Sequence, residues 1–216
     1  MTTEHAIADG LQQLGFALPP ALPARLAAYL RLLEQWNRAY NLTAVREPAQ
    51  MVPRHLLDSL SVLPWLRGAS LLDVGSGAGL PGIPLALARP DLAVTLLDGN
   101  GKRSRFMTQA VLELGLDNVT VVQARVEDWR APAPFACVIS RAFAALAEFV
   151  EAAGRQCAAD GRLLAMKGQL AADELAAVPA AWRIAGVHRL TVPGLEGEQR
   201  HLVELVATRP AAAAAP

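Results

Sequence analysis

The chain changes rhythm near residue 66. Before it, apolar positions recur at helical spacing; after it, they gather in short continuous runs. Ile7, Leu11 and Leu14 share one side of a first helix, with Gly15 as its stop. Leu22, Leu26, Leu30, Leu33 and Trp36 form a longer stripe that begins among Pro19, Pro20 and Pro23. Tyr40-Asn-Leu-Thr43 breaks the pattern, and Pro48 to Leu63 gives another helix with Leu56, Leu57, Leu60 and Leu63 on one side. From Ser70, strands are expected at 70–74, 93–98, 119–123, 135–140 and 161–166. Helices are expected at 81–89, 102–115, 144–158 and 170–178. The segments 182–192 and 200–208 have no helix between them and read as an antiparallel pair. The class is therefore α/β: a mostly parallel sheet with helices on both faces, its strands apolar because both faces are covered. The expected division is a helical segment over 1–66 packed on the core, an α/β domain over 67–209, and an alanine-rich disordered tail over 210–216. No internal repeat is visible.

Composition narrows the classes. Of 216 residues, 53% are hydrophobic, enough to bury one sizeable core. The formal net charge is zero, so no global basic field announces a nucleic-acid partner, although a local patch suffices for one. Two cysteines, Cys137 and Cys157, make no disulfide framework, and Cys137 sits in an apolar run as a small buried residue. No apolar run approaches the roughly 20 residues of a membrane span. The opening Met-Thr-Thr-Glu-His lacks the flank and core of a signal peptide. The expectation is a soluble, cytoplasmic protein that binds no membrane. Four scattered histidines and no close cysteine pair lack metal-ligand spacing, so no metal is expected.

The chemistry concentrates in Leu71-Leu-Asp-Val-Gly-Ser-Gly-Ala-Gly-Leu-Pro-Gly-Ile-Pro-Leu85. An apolar strand ends in an acid and a glycine-rich turn that opens a helix. Glycines let backbone pass close beneath a ligand, and a helix N-terminus offers unpaired N–H groups. Asp73, two residues before Gly75, suits a cationic ligand such as the sulfonium and ammonium of S-adenosylmethionine and sits poorly against a pyrophosphate. Gly77-Ala-Gly79-Leu-Pro-Gly82 also fits the dinucleotide G-x-G-x-x-G pattern, but about 70 residues precede it, and that fingerprint usually opens its domain. A Walker loop is excluded, since no Gly-Lys-Ser/Thr follows. Asp98 ends the second strand, 23 residues after Gly75, where a carboxylate can accept both hydroxyls of a ribose. The competing reading of Asp98 is a helix cap before Gly99-Asn-Gly101.

Asp73-Val-Gly-Ser-Gly-Ala-Gly-Leu-Pro-Gly-Ile-Pro84 resembles motif I of the bacterial small-subunit ribosomal RNA methyltransferase G family, formerly glucose-inhibited division protein B. Further segments resemble it in family order from residue 40 to 201: Tyr40-Asn-Leu-Thr-Ala44, His55-Leu-Leu-Asp-Ser59, Leu97-Asp-Gly-Asn-Gly-Lys-Arg103, Val138-Ile-Ser-Arg-Ala-Phe-Ala144, Met166-Lys-Gly168 and Gly197-Glu-Gln-Arg-His201. The resemblance implies a class I, Rossmann-like methyltransferase with a seven-stranded sheet whose last strand is antiparallel. It implies S-adenosyl-L-methionine as cofactor and, as acceptor, N7 of one guanine in a 16S rRNA loop near the decoding centre of the small ribosomal subunit. It places Gly75, Leu80, Val126, Glu127 and Arg141 at the cofactor, beside Asp73, Gly77 and Asp98.

Guanine N7 carries a lone pair and no proton, so its methylation needs orientation rather than a general base. The sequence is consistent: the fourth strand ends in Ser140-Arg-Ala-Phe143, not in the Asn/Asp-Pro-Pro-aromatic motif of exocyclic-amine methylation, and no Pro-Cys pair supplies the nucleophile of carbon-5 chemistry. Arg141 and Lys167 are the candidate catalytic cations, positioning the substrate from neighbouring strand ends; the plainer readings are an ion pair and a solvated strand end. Lys102, Arg103, Phe143, Arg200 and His201 are candidate RNA contacts, Phe143 by stacking. His55 and Asp58, a helical turn apart, are candidates to pair across their helix. A monomer is expected. Other readings are a methyltransferase on a small molecule or protein, a non-enzymatic nucleotide-binding module, and a nicotinamide-dependent oxidoreductase. A basic strip joining Arg103, Arg141, Lys167 and Arg200 around the cleft would favour RNA.

Overall fold

A computed structural model describes residues 2–208 other than 142 and 144; the expected tail at 210–216 lies outside them. Helices α1 (Thr3–Leu14) and α2 (Leu22–Tyr40) follow the apolar stripes. Gly15 ends α1 at φ 72°, a left-handed position that glycine takes without strain. The third helix differs from expectation. It divides into α3 (Pro48–Met51), a π-helical turn (Val52–Leu57) and α4 (Asp58–Leu60). Pro53 lacks the N–H that the α-ladder needs, and the ladder re-forms with the Asp58 N–H bonded to the Pro53 carbonyl, one residue farther back than in an α-helix. Leu56, Leu57 and Leu60 still face inward.

Strands β1 (Ser70–Val74), β2 (Ala93–Asp98), β3 (Val119–Gln123) and β4 (Phe135–Ser140) take the expected bounds. Helices α5 (Gly82–Ala88) and α6 (Gly101–Glu113) lie between the first three. Helix α7 is shorter than expected, Leu146–Ala153, because the chain tightens into a 3-10 turn at Gly154–Gln156. β5 starts earlier than expected, at Cys157, and runs to Lys167, with an irregular register between Phe135 and Cys137 of its neighbour. A short α8 (Ala172–Ala176) precedes β6 (Trp182–Arg189) and β7 (His201–Ala207).

The sheet has seven strands in the order β3-β2-β1-β4-β5-β7-β6. β1 to β5 are mutually parallel, while β7 runs antiparallel to both β5 and β6. After β1 the chain winds outward through β2 and β3 and returns to β4 on the other side of β1. The carboxyl ends of β1 and β4 therefore flank a switch point, where open α/β sheets bind ligands. On one face, Ile7, Leu26, Leu30 and Leu33 share a continuous core with Leu71, Leu85, Leu96 and Phe106. On the other, Leu72, Val138, Phe149 and Val203 form a second cluster. α2 also reaches the glycine turn by a polar contact: the buried Tyr29 hydroxyl donates to the Ala78 carbonyl at 2.6 Å.

Candidate active site

Two cavities open at the carboxyl edge of the sheet. The first lies over β1, β2 and β3 and is lined by Gly75, Asp98, Arg103, Val126 and Phe143 among others. Gly75, Gly77 and Gly79 all sit at positive φ (69°, 59° and 81°), which winds the turn tightly enough to bring its backbone to the ligand side. Space beside Gly77 is open: a Cβ there would meet nothing nearer than the Gly75 carbonyl at 3.9 Å. Asp98, almost wholly buried, accepts from the Gly77 N–H at 2.9 Å and the Asn100 N–H at 2.8 Å, so it ties β2 to the glycine turn. The cap of α6 is Asn100, whose side chain accepts from the Lys102 and Arg103 N–H groups. Arg103 Nη1 lies 3.4 Å from Asp98 Oδ2, the longest and most exposed of the Asp98 contacts, and the one that a ribose diol would replace. Glycines without side chains, open space above them and a carboxylate with acceptor capacity left fit an adenosine-type cofactor.

Asp73 lines neither cavity. It is fully buried, and its Oδ2 accepts from the Gly82 N–H at 2.8 Å, holding the start of α5. Burial pushes its carboxyl up to about 7, against the opposing pull of that N–H and of the Arg141 charge. Gly77 donates to Asp98 of the cavity wall, while Leu80 is buried and Glu127 exposed. Arg103 lines this cavity beside Asp98, while Lys102 is exposed. Phe143 also lines it, its ring 5.4 Å from that of Phe149.

The second cavity, about 290 Å³, lies beside the first over β4, β5 and β7. Arg54, His55, Asp58, Arg141, Lys167, Arg200 and His201 line it. The π-helical turn supplies Arg54 and His55, and the first residue after it, opening α4, supplies Asp58. His55 and Asp58 do not pair, because the widened turn splays residues three apart. His55 Nε2 instead meets Thr43 Oγ1 at 2.9 Å, and burial, with the Arg141 charge, pulls the imidazole down to about 4, so it is neutral. Arg141 Nη1 donates to Asp58 Oδ2 and to the Arg54 carbonyl, both at 3.1 Å. Arg141 lines this cavity, and its charge bears on Asp73 as well as on His55. Lys167 is not a solvated strand end: only 9% exposed, its Nζ lies 2.6 Å from Glu174 Oε1 and 3.2 Å from the Phe143 carbonyl. His201 Nδ1 donates to the Gly168 carbonyl at 2.8 Å.

Arg141, Lys167, Arg200 and His201 are thus brought together, and Arg103 is separated from them. The strip that would favour RNA is therefore not continuous: Arg103 stands apart, and the other three cations are each paired with an acid. Sequence reading missed those acids. Glu198 holds Arg54 and Arg200, and Glu174 holds Lys167. Arg54 and Glu198 are 144 positions apart, beyond the reach of any spacing rule. Among the described residues, no group of three or more His, Cys, Asp or Glu side chains is arranged to hold a metal ion, and no helix is long and apolar enough to cross a membrane.

A family model described as rRNA small subunit methyltransferase G matches residues 23–203. A ribosomal RNA small subunit methyltransferase G from Alkalilimnicola ehrlichii is 58% identical over 97% of this chain and 94% of its own. Its namesake from Marinobacter nauticus is 54% identical over 90% of this chain and 91% of its own. Among solved structures, a glycopeptide N-methyltransferase, MtfA, complexed with S-adenosylmethionine, superposes with a TM-score of 0.59 at 12% identity, covering 71% of this chain and 94% of that one. TrmN from Thermus thermophilus does so with a TM-score of 0.56 at 18% identity, over 79% of this chain and 53% of that one. These two likenesses establish the class I methyltransferase fold.

Proposed function

The chain belongs to the rRNA small subunit methyltransferase G family, and from that premise we propose that it transfers the methyl group of S-adenosylmethionine to N7 of one guanine of 16S rRNA. The observation that carries the reading is the pair of cavities at the carboxyl edge of the sheet, linked where Lys167 of the second donates to the Phe143 carbonyl of the first. The first offers a glycine turn and a diol acceptor; the second offers held cations and a neutral imidazole around a space of about 290 Å³, close to the lower end of ligand-pocket sizes.

When bound, the cofactor supplies an electrophilic methyl carbon on a sulfonium. Asp98 would accept from the ribose hydroxyls, Gly75 and the Val126 segment would flank the adenosine, and Asp73 would hold the turn in shape from beneath. The acceptor nitrogen has no proton to lose, so none of the side chains has to act as a base. Their task is to hold the guanine with N7 about 3 to 3.5 Å from the methyl carbon and to exclude water. Arg141 and Lys167, each anchored to an acid, suit that task, since guanidinium and ammonium donors match the O6 edge of guanine. Arg200 and His201 extend the same wall toward the flanking nucleotides. The natural partner on this reading is the small ribosomal subunit or its rRNA, met by a monomer in the cytoplasm.

The test is transfer of tritium from labelled S-adenosylmethionine to small subunits from a strain lacking the enzyme. Label in 16S rRNA is expected. Label confined to protein or to a small-molecule acceptor would reject the RNA reading while leaving the methyltransferase fold in place.

A further inference from the structure

The second cavity is built around one carboxylate. Asp58 opens α4, directly after the π-helical turn, and is 4% exposed. Its Oδ2 lies 3.1 Å from Arg141 Nη1 at the end of β4, and its Oδ1 lies 3.3 Å from Arg200 Nε just before β7. One acid thus joins the N-terminal helices to two strand ends more than 50 positions apart in sequence. The chain of charges continues, because Arg200 Nη2 meets Glu198 Oε2 at 2.8 Å and Glu198 also holds Arg54. Arg54 closes the circuit through its carbonyl, which accepts from Arg141.

A guanidinium is a rigid planar fork whose aim is set by what it is bonded to. Arg141 touches Asp58 and Arg54 through Nη1 alone. That contact fixes one arm of a guanidinium that lines the second cavity. Arg200 is held by Nε at Asp58 and by Nη2 at Glu198, which spreads it flat across the cavity wall. We propose that Asp58 is a positioning residue for methyl transfer: it touches neither substrate nor cofactor itself, but fixes Arg141 and Arg200 as two arms that hold the acceptor nucleotide against the methyl donor. The proposal rests on the second cavity being the acceptor site. It also explains the π-helical turn. An uninterrupted α-helix through Pro53 would present Asp58 at a different angle from Arg54 and His55, and the wall would not close.

Asp58→Asn keeps the shape and removes the charge. It removes the anionic anchor shared by both guanidiniums, leaving Arg200 its contact with Glu198 alone, so the cavity becomes more cationic and the two arms looser. Turnover on small subunits is expected to fall by about 10- to 100-fold, the cost of a reacting geometry loosened by about an ångström. The affinity for rRNA is expected to hold or tighten with a steeper salt dependence, and S-adenosylhomocysteine affinity by calorimetry to stay within about twofold of wild type. A merely structural role would instead lower the melting temperature and weaken both affinities. The cycle with Arg200→Ala adds a second check: the double variant is expected to be little worse than the poorer single one, because Asp58 acts through Arg200. Unchanged turnover in Asp58→Asn, or fully additive losses in the cycle, would overturn the proposal. If wild type itself transfers no label to small subunits, the function reading fails and the Asp58 claim is read from arginine side-chain resonances. Restricted Nη–H signals of Arg141 and a slowly exchanging Nε–H signal of Arg200, present in wild type and lost in Asp58→Asn, support it; identical spectra refute it.

Discussion

Asp98 holds the glycine turn and, on the proposed reading, the ribose. Its two backbone partners remain whatever the ligand does, so Asp98→Ala removes a bonded, buried acceptor from three donors at once. Cofactor binding measured by calorimetry should weaken by about 1.5 to 3 kcal/mol, the scale of charge-assisted hydrogen bonds. Tyr29 supports the same turn from the other side. Tyr29→Phe leaves the buried Ala78 carbonyl without its donor, and unfolding in urea should show a loss of about 1 to 3 kcal/mol. Asp73 and His55 give a pH test with opposite signs. His55, pulled down to about 4 from 6.5, binds its proton less well when folded, so its contribution is present above pH 6.5 and lost as pH falls to about 4. Asp73, pushed up to about 7 from 3.8, holds its proton better when folded, so its contribution is present below about pH 4 and lost as pH rises through 7. The two slopes oppose each other across pH 4 to 6.5. Asp73→Asn should therefore turn a nearly level urea-midpoint profile into one that climbs over that range; a level profile for the variant would contradict the assignment. At this scale the sequence put Gly75, Asp98, Val126, Arg141 and Lys167 at or just beyond strand ends, and they line the two cavities. It did not disclose that Asp73 turns inward, because burial depends on the neighbouring helix start. Nor did it disclose the pairing acids, which come from remote segments.

The elements follow from simpler rules. Leu26 and Leu30 on α2 share a buried core with Leu85 of α5 and Phe106 of α6. Leu26→Ala should cost about 2 to 5 kcal/mol in chemical denaturation, as other buried leucine truncations do. Strands β1 to β4 were legible to the residue because they are apolar runs cut off by polar or glycine positions. The third helix was not, since periodicity registers its apolar face but not the ladder that Pro53 interrupts. α7 ended early for a related reason: apolar spacing continues past Gly154 while the backbone does not. Lys167 ties elements together, since Glu174 on α8 accepts both its ammonium and the Leu146 N–H that starts α7. Lys167→Ala should lower turnover more than S-adenosylhomocysteine affinity, because the lost contact lies in the acceptor cavity. Equal losses in kinetics and calorimetry would move Lys167 to the cofactor side.

Across the whole molecule, the sheet order places two cavities on one edge, and the N-terminal helices form part of the walls of both functions. Tyr29 reaches the glycine turn, and Arg54, His55 and Asp58 line the second cavity. A net charge of zero is compatible with an RNA acceptor on this plan, because the cations that matter are gathered and aimed by acids rather than spread as a field. The fold class and the topology at the chain's end were legible from element order. The separation of Arg103 from the other cations was not, because it depends on the side of β1 to which each strand returns. The most direct measurement is the position of the transferred methyl group. Small subunits from a strain lacking the enzyme, methylated by the purified protein, would be treated with borohydride and aniline, which cleave RNA at N7-methylguanine. One new scission at a single guanine of 16S rRNA is the predicted result. A methyl group incorporated into the RNA without any such scission would place it on another atom and contradict the base-free, N7-directed site described here.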